Sequence, residues 1–164
     1  MVLLGALGVL PGWALSGCGF HLRASQVFAF ERIAVTPEGA SGVAAELVRY
    51  LGTAVVPLAA RPGQAAPQVV FDVVQELREK TVVGVNASGQ VREFQLRIRL
   101  KFRLRTQQGR TLIAETEISQ QRDISFNEAA VLAKEAEEVL LYRDMQGDIV
   151  QQLLRRLAAV KQID

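Results

Sequence analysis

Phe94-Gln95-Leu96-Arg97-Ile98-Arg99-Leu100-Lys101-Phe102-Arg103-Leu104-Arg105 is the stretch on which the fold turns. Phe94, Leu96, Ile98, Leu100, Phe102 and Leu104 occupy one parity; Gln95, Arg97, Arg99, Lys101, Arg103 and Arg105 occupy the other. Unbroken alternation predicts a β-strand with one face buried and one in water. The apolar side chains, at roughly 1.5–3 kcal/mol each when fully buried, make this strand the largest local contribution to a core. A strand needs partners along its edges and a cover for its apolar face, and the remaining chain must supply both.

The flanks provide the partners. Asn86-Ala87-Ser88-Gly89 is a turn into this strand, and Gln107 to Arg110, with Gly109, is a turn out of it. Val69 to Val83 reads as a preceding strand, with Phe71, Val73 and Leu77 inward and Asp72, Glu76, Arg78 and Lys80 on the opposite parity. Thr111 to Arg122 reads as the following strand. Placing Leu104 opposite Ala114 and Leu100 opposite Ile118 keeps every apolar residue inside. The same register sets Arg103 against Glu115, Lys101 against Glu117, Arg99 against Ser119 and Arg97 against Gln121. It leaves Arg92, Arg97, Arg99 and Arg105 without a carboxylate opposite.

Two helices and one further strand complete the pattern. Phe30 to Val35 alternates weakly and stops at Pro37, giving a first strand. Ser41 can cap a helix whose Val43, Leu47 and Leu51 form one stripe and which Gly52 ends. Pro57 to Pro67 is a proline-rich loop. Ser125-Phe126-Asn127-Glu128 has the form of a capping box. From there to about Val160, Leu141, Met145, Ile149, Leu153 and Leu157 recur at helical spacing, with Gly147 as a local weakness. The prediction is an α+β, two-layer sandwich: a mixed four-stranded sheet in the order β-α-β-β-β-α, with both helices on its one apolar face.

Composition limits the chemistry. The 164 residues suit one domain, and 49% hydrophobic with 22% charged content is ordinary for a globular protein. A net charge of +2 makes the cationic row local and gives little support for nucleic acid as a partner. No aromatic residue interleaves that row, as a reader of single strands would need. One cysteine, Cys18, and one histidine, His21, can form neither an internal disulfide nor a metal cluster, so no metal or cofactor is expected. No G-x-S-x-G elbow or phosphate-binding glycine loop occurs. Asp144 and Asp148, one turn apart, read as a solvated helix face near Arg143 and Arg155. The chain is expected not to be an enzyme. Unpaired arginines in a row suit an anionic glycolipid or an acidic protein wall, because guanidinium grips phosphate through paired hydrogen bonds.

The N-terminus gives the compartment. Residues 1–17 carry no charge, and Pro11-Gly12 interrupts a segment already short of the roughly 20 residues that span a bilayer. Leu15-Ser16-Gly17-Cys18 then resembles a bacterial lipobox. Residues 1–17 are therefore expected to be a lipoprotein signal peptide, 18–29 a lipidated tether and 30–164 a single domain. Because Met1-Val2-Leu3-Leu4 lacks the usual Lys or Arg, the true start is expected upstream. Two or three acyl chains on Cys18, a palmitate among them, at about 0.8 kcal/mol per buried methylene, would anchor the chain stably. Gly19 at the next position implies outer-membrane sorting.

Cys18-Gly19-Phe20-His21-Leu22-Arg23 resembles the mature start of the LptE family of Gram-negative lipopolysaccharide-assembly lipoproteins. Val131-Leu132-Ala133-Lys134-Glu135, Leu141-Tyr142-Arg143-Asp144-Met145 and Gln151-Gln152-Leu153-Leu154-Arg155-Arg156-Leu157 extend the likeness across the mature chain. The resemblance implies the same fold and a heterodimer, not a homo-oligomer, with the outer-membrane β-barrel LptD, whose lumen the protein plugs and whose assembly it assists. It also implies lipopolysaccharide binding, with the family's lysine falling on Lys134. A basic residue of the family in the turn before the central strand meets Ala87 here, leaving Lys80 or Arg92 as replacements. The candidate ligand residues are thus Lys134, Arg97, Arg99, Lys101, Arg103 and Arg92. A lipid-anchored accessory of another envelope transport system, and a structural lipoprotein without ligand, are the alternatives.

Overall fold

The alternating stretch is the third strand of a four-stranded sheet. The computed structural model describes residues 26–40, 42–59 and 62–163. Cys18, the leader, most of the expected tether and Ser41 lie outside the described residues. The elements run β1 (Ile33–Thr36), α1 (Gly42–Leu51), a short 3-10 turn (Gly52–Ala54), β2 (Val69–Val85), β3 (Val91–Thr106), β4 (Thr111–Ser125), a second 3-10 turn (Glu128–Ala130) and α2 (Val131–Ala159). The strands lie side by side in sequence order, β1 parallel to β2 and the other pairs antiparallel. This is the expected α+β architecture with a mixed sheet.

The core sits between the helices and the apolar parity of β3. Leu96, Ile98, Leu100, Phe102 and Leu104 are all fully buried. They meet Met145, Ile149, Leu153 and Leu157 of α2 and Val43, Leu47 and Leu51 of α1 in one cluster. Phe71 of β2 stacks on Phe102, with ring centroids 5.2 Å apart. Such pairs add about 0.5–1.5 kcal/mol beyond area burial. Arg97, Arg99, Lys101, Arg103 and Arg105 project from the opposite, helix-free face.

Two expectations about register need correction, and both fail at bulges. Val73 pairs with Phe102 but Gln75 pairs with Lys101, so Val74 is an extra residue in β2. A single insertion exchanges the two faces downstream. Glu76, Arg78 and Lys80, expected in water, therefore lie over Leu100, Ile98 and Leu96 on the helix side. Leu77, expected inward, lies beside Arg99 on the open face and is 37% exposed. The hairpin of β3 and β4 keeps the expected pairs Leu100 with Ile118, Lys101 with Glu117, Arg99 with Ser119 and Arg97 with Gln121. Beyond Phe102, paired with Thr116, the ladder slips and Leu104 meets Ile113 instead of Ala114. Arg103 consequently loses Glu115 as its cross-strand partner.

Helix starts also differ from the sequence prediction. Ser125 is the last residue of β4, and Asn127, not Ser125, caps the 3-10 turn by accepting the Ala129 N–H at 3.0 Å. α2 then runs unbroken through Gly147. At α1 the free N-terminal N–H of Val43 is met by the Glu76 carboxylate of β2, at 3.0 and 3.2 Å. The flipped face of β2 makes that cap possible. β1 is only four residues long, pairing with Val69–Asp72, so β2 presents an open edge from Val73 onward.

Candidate functional site

The predicted ligand residues fall into three places. Lys134 lies at the start of α2 on the helix-covered side, whereas Arg97, Arg99, Lys101 and Arg103 line the opposite face. Arg92 sits near the hairpin tip, its guanidinium on Gln90 Oε1 at 3.3 Å. The structure thus does not gather the predicted set into one site.

On the open face most guanidinium groups are already engaged. Arg99 makes two hydrogen bonds of 3.0 Å to the Glu117 carboxylate and lies 4.0 Å from Glu79. The Glu117 carboxyl is held below its usual range, first by that hydrogen bond and then by the charges of Arg99, Lys101 and Arg97. Arg103 and Arg105 converge on Asp72, each donating Nε–H to Oδ2 at 2.8 Å. Thr36 donates its hydroxyl to Oδ1 at 2.7 Å. Burial alone would raise the Asp72 pKa, but hydrogen bonds from Arg105, Thr36 and Arg103 outweigh it and hold the group at about 2, below its ordinary 3.8. The expectation that Arg99 and Arg105 lack carboxylates is corrected. Arg105 takes its carboxylate from Asp72 of β2, whereas Arg99 reaches diagonally across the β3–β4 ladder to Glu117, with Glu79 of β2 farther off at 4.0 Å. Among the described residues Arg97 donates only to Gln95 and Gln121, and Lys101 has no ion-pair partner.

Lys134 finds different company. Its ammonium donates to Ser125 Oγ at 2.9 Å and to Glu137 at 2.8 Å. Across a pocket of about 60 Å³ stands Lys80, brought to this side by the Val74 bulge. Lys80 pairs with Glu138 at 2.6 Å and lies 4.4 Å above the Phe94 ring. Phe94 in turn meets Phe126 edge-on at 5.4 Å, and both rings line the pocket with Val131 and Ile124. Two turns beyond Lys134 along α2, Tyr142 donates its hydroxyl to the Glu79 carbonyl at 2.9 Å, under the Arg78 guanidinium. Burial, with the charge of Glu138 second, raises the Tyr142 hydroxyl pKa above its ordinary value. Two ammonium groups beside an aromatic wall can take an anionic group with an apolar body: point charges for phosphate, rings for hydrocarbon. The carboxylates now on those lysines form partly exposed pairs worth about 0–1 kcal/mol each, weak enough for a multivalent anion to displace.

Lys80 is the pocket residue that alternation places on the wrong face, and the sole pointer to it in the sequence is the family's basic position that meets Ala87. Asp148, expected among solvated charges, binds Arg122 of β4 at 2.9 Å. Among the described residues no group of three or more His, Cys, Asp or Glu side chains could hold a metal, and no helix is long and apolar enough to cross a membrane.

Comparison with known proteins adds to this geometry. The LptE family model, described as lipopolysaccharide-assembly, matches residues 30–157. A solution structure of uncharacterized lipoprotein B from Nitrosomonas europaea is 34% identical, with a TM-score of 0.69 over 86% of this chain and 91% of that one. A minor lipoprotein from Acinetobacter baumannii shares the fold at 19% identity, TM-score 0.61, over 81% of this chain and 94% of its own. The rare lipoprotein B from Shewanella oneidensis does so at 19% identity and TM-score 0.59, over 78% and 92%. No curated protein sequence matches the chain. A match over residues 30–157 takes in every strand and nearly all of α2, so the chain belongs to the LptE family and its role lies in lipopolysaccharide assembly.

Proposed function

We propose that this chain is an outer-membrane lipoprotein, acylated at Cys18, that plugs the LptD β-barrel from its periplasmic side, assists its assembly and binds lipopolysaccharide bound for the outer leaflet. It acts without catalysis. The lipobox-like Leu15-Ser16-Gly17-Cys18 and the lipoprotein names of its relatives support the anchor. The convergence of Lys134 and Lys80 on one aromatic-walled pocket supports the ligand site most directly. In this reading lipopolysaccharide phosphates replace Glu137 and Glu138 on the two ammonium groups. Arg97, Lys101 and Arg92, which hold no carboxylate among the described residues, provide a second tier of cations. Arg99 and Arg103 are mainly structural, tied to Glu117 and Asp72, though Arg103 is 52% exposed and open to a further anion.

Lys134→Glu is the direct test. Lipopolysaccharide binding by the acyl-free domain should weaken by about tenfold or more, the loss of a phosphate contact plus a new repulsion. The melting temperature should hardly move, because only partly exposed contacts are lost. Undiminished binding in a folded Lys134→Glu protein would remove Lys134 from the site.

A further inference from the structure

Charge is unevenly spread along the long axis of the molecule. The 29 residues of α2 span about 43 Å, which sets the distance between the two ends. At one end the N-terminal segment, the start of β2 and the β3–β4 turn are laced together. Gln68 donates its backbone N–H to the Arg32 carbonyl at 3.0 Å, and its own carbonyl accepts from Gln107 at 3.3 Å. The end of α2 joins them, since Arg156 and Lys161 line one hollow with Leu112 and Ile113 of β4. The segments here, 26–34, 62–70, 104–115 and 152–163, carry Arg32, Arg105, Arg110, Arg155, Arg156 and Lys161 against two carboxylates, Glu31 and Glu115. The opposite end, 79–94 with 120–140, carries four cations and seven carboxylates. Outside the described residues, Arg23, Arg61 and Asp164 border the first set of segments in sequence and leave its surplus positive. Within that set Arg105 is held by Asp72, Arg32 lies 3.5 Å from Glu31, and Arg156 leans over the Phe102 ring. Arg110, Arg155 and Lys161 are exposed and have no ion pair among the described residues.

We propose that this end stands on the head groups of an anionic phospholipid leaflet, with Arg110, Arg155 and Lys161 making the contact. The inference rests on the acylation of Cys18 read above and adds how the domain is oriented on the membrane. The chain itself brings this end to the bilayer. Phe28 and Phe30, packed on the core just before β1, fix where the N-terminal segment enters. From Cys18 to Gln26 a fully stretched chain reaches about 26–29 Å, which is less than the length of α2. The opposite end therefore cannot rest on the surface that holds the tether. Screening settles the sign of the interaction. At physiological salt the Debye length is about 8 Å, so the carboxylate-rich end lies far outside the reach of the leaflet's charge. Each Lys or Arg close to an anionic surface strengthens binding about fivefold. Three of them give a contact that washes off by itself: the acyl chains provide the affinity and the cations the orientation. In that orientation the Lys80–Lys134 pocket is held away from the periplasmic leaflet, toward the barrel lumen.

The mature chain carrying Cys18→Ser, which removes the acyl contribution, is titrated with vesicles of phosphatidylcholine and with mixed vesicles of phosphatidylglycerol and phosphatidylcholine. It should prefer the anionic vesicles by about tenfold or more, and the preference should vanish near 1 M salt, where the screening length is about 3 Å. Adding Arg110→Gln/Arg155→Gln/Lys161→Gln should abolish the preference, and these side chains are exposed, so the core is untouched. Adding Lys101→Gln/Arg122→Gln/Arg143→Gln instead, which removes the same charge elsewhere, should retain it. No preference in the parent chain overturns the proposal, and so does an equal loss in both triple variants, which would make net charge alone responsible. An Arg110/Arg155/Lys161 variant that keeps the preference but loses a co-purifying barrel protein overturns it in favour of an acidic protein wall. One that keeps the preference but binds lipopolysaccharide tenfold more weakly overturns it in favour of that ligand. A bare thiol at position 18 of the native protein, with the preference intact, removes the anchor and leaves the phospholipid contact standing.

Discussion

Asp72 ties three strands together: it sits on β2, accepts from Thr36 of β1 and holds Arg103 and Arg105 of β3. Its folded-state pKa of about 2 lies below the ordinary 3.8, so the ionised form is the one the fold favours. The resulting stability, about 2 kcal/mol, is fully present above roughly pH 4 and is lost as pH falls toward 2. Asp72→Asn should therefore lower unfolding free energy by about 2 kcal/mol at pH 7, and the gap to wild type should close near pH 2. Denaturant titration across that interval checks it; a gap independent of pH would show that the charge is not what matters. Asp72 itself was legible as an outward carboxylate on β2. Its pairing was not, because sequence spacing gives the face of a residue but not which strand's charges arrive beside it. Arg99 differs by reach and not by strand: its bond runs diagonally to Glu117, the cross-strand partner of Lys101, which a register of directly opposed residues does not reveal.

Among the elements, β3 could be read in full, since every alternate residue obeys the pattern and no bulge interrupts Phe94–Phe102 on its own strand. β2 could not. A period of two carries no mark where a residue is inserted, and valine at 73 and 74 suits either face. The helix that depends on this shift is α1. Gly42, its first residue, has φ +65°, and a Cβ there would collide with the Glu76 carboxylate that caps Val43. Gly42→Ala should cost about 1–3 kcal/mol through left-handed backbone and the displaced cap together. Glu76→Ala should cost about 1 kcal/mol, the usual worth of an N-cap, and thermal melts of both variants measure the difference. Equal melting of Glu76→Ala and wild type would mean that water caps α1 just as well.

For the molecule as a whole, the two-layer arrangement was predictable because only one parity of β3 is apolar, and helices must gather there. What sequence could not supply was the relation between the faces: a compensated lattice of arginines and carboxylates on one side, a lysine pocket and an unroofed helix on the other. β4, and β2 from Val73 onward, keep long free edges, a hazard in open water that a surrounding barrel wall would remove. The proposed membrane attachment belongs to this scale too. Cys18→Ser should release the protein from sedimented membranes, and mass spectrometry of wild type should find the diacylglyceryl and amide-linked chains at that position. A bare thiol in wild type, with unchanged sedimentation, would assign attachment to the folded part instead.

The Val74 bulge has a bearing on how relatives of this chain are compared. A protein one amino acid shorter in the same strand would, if aligned without a gap, have its outward leucine matched to an inward one and its pocket cation assigned to the wrong side. Alignments across such relatives therefore gain from a gap at Val74, and catalogues of cationic positions compiled without it would mix two unlike surfaces.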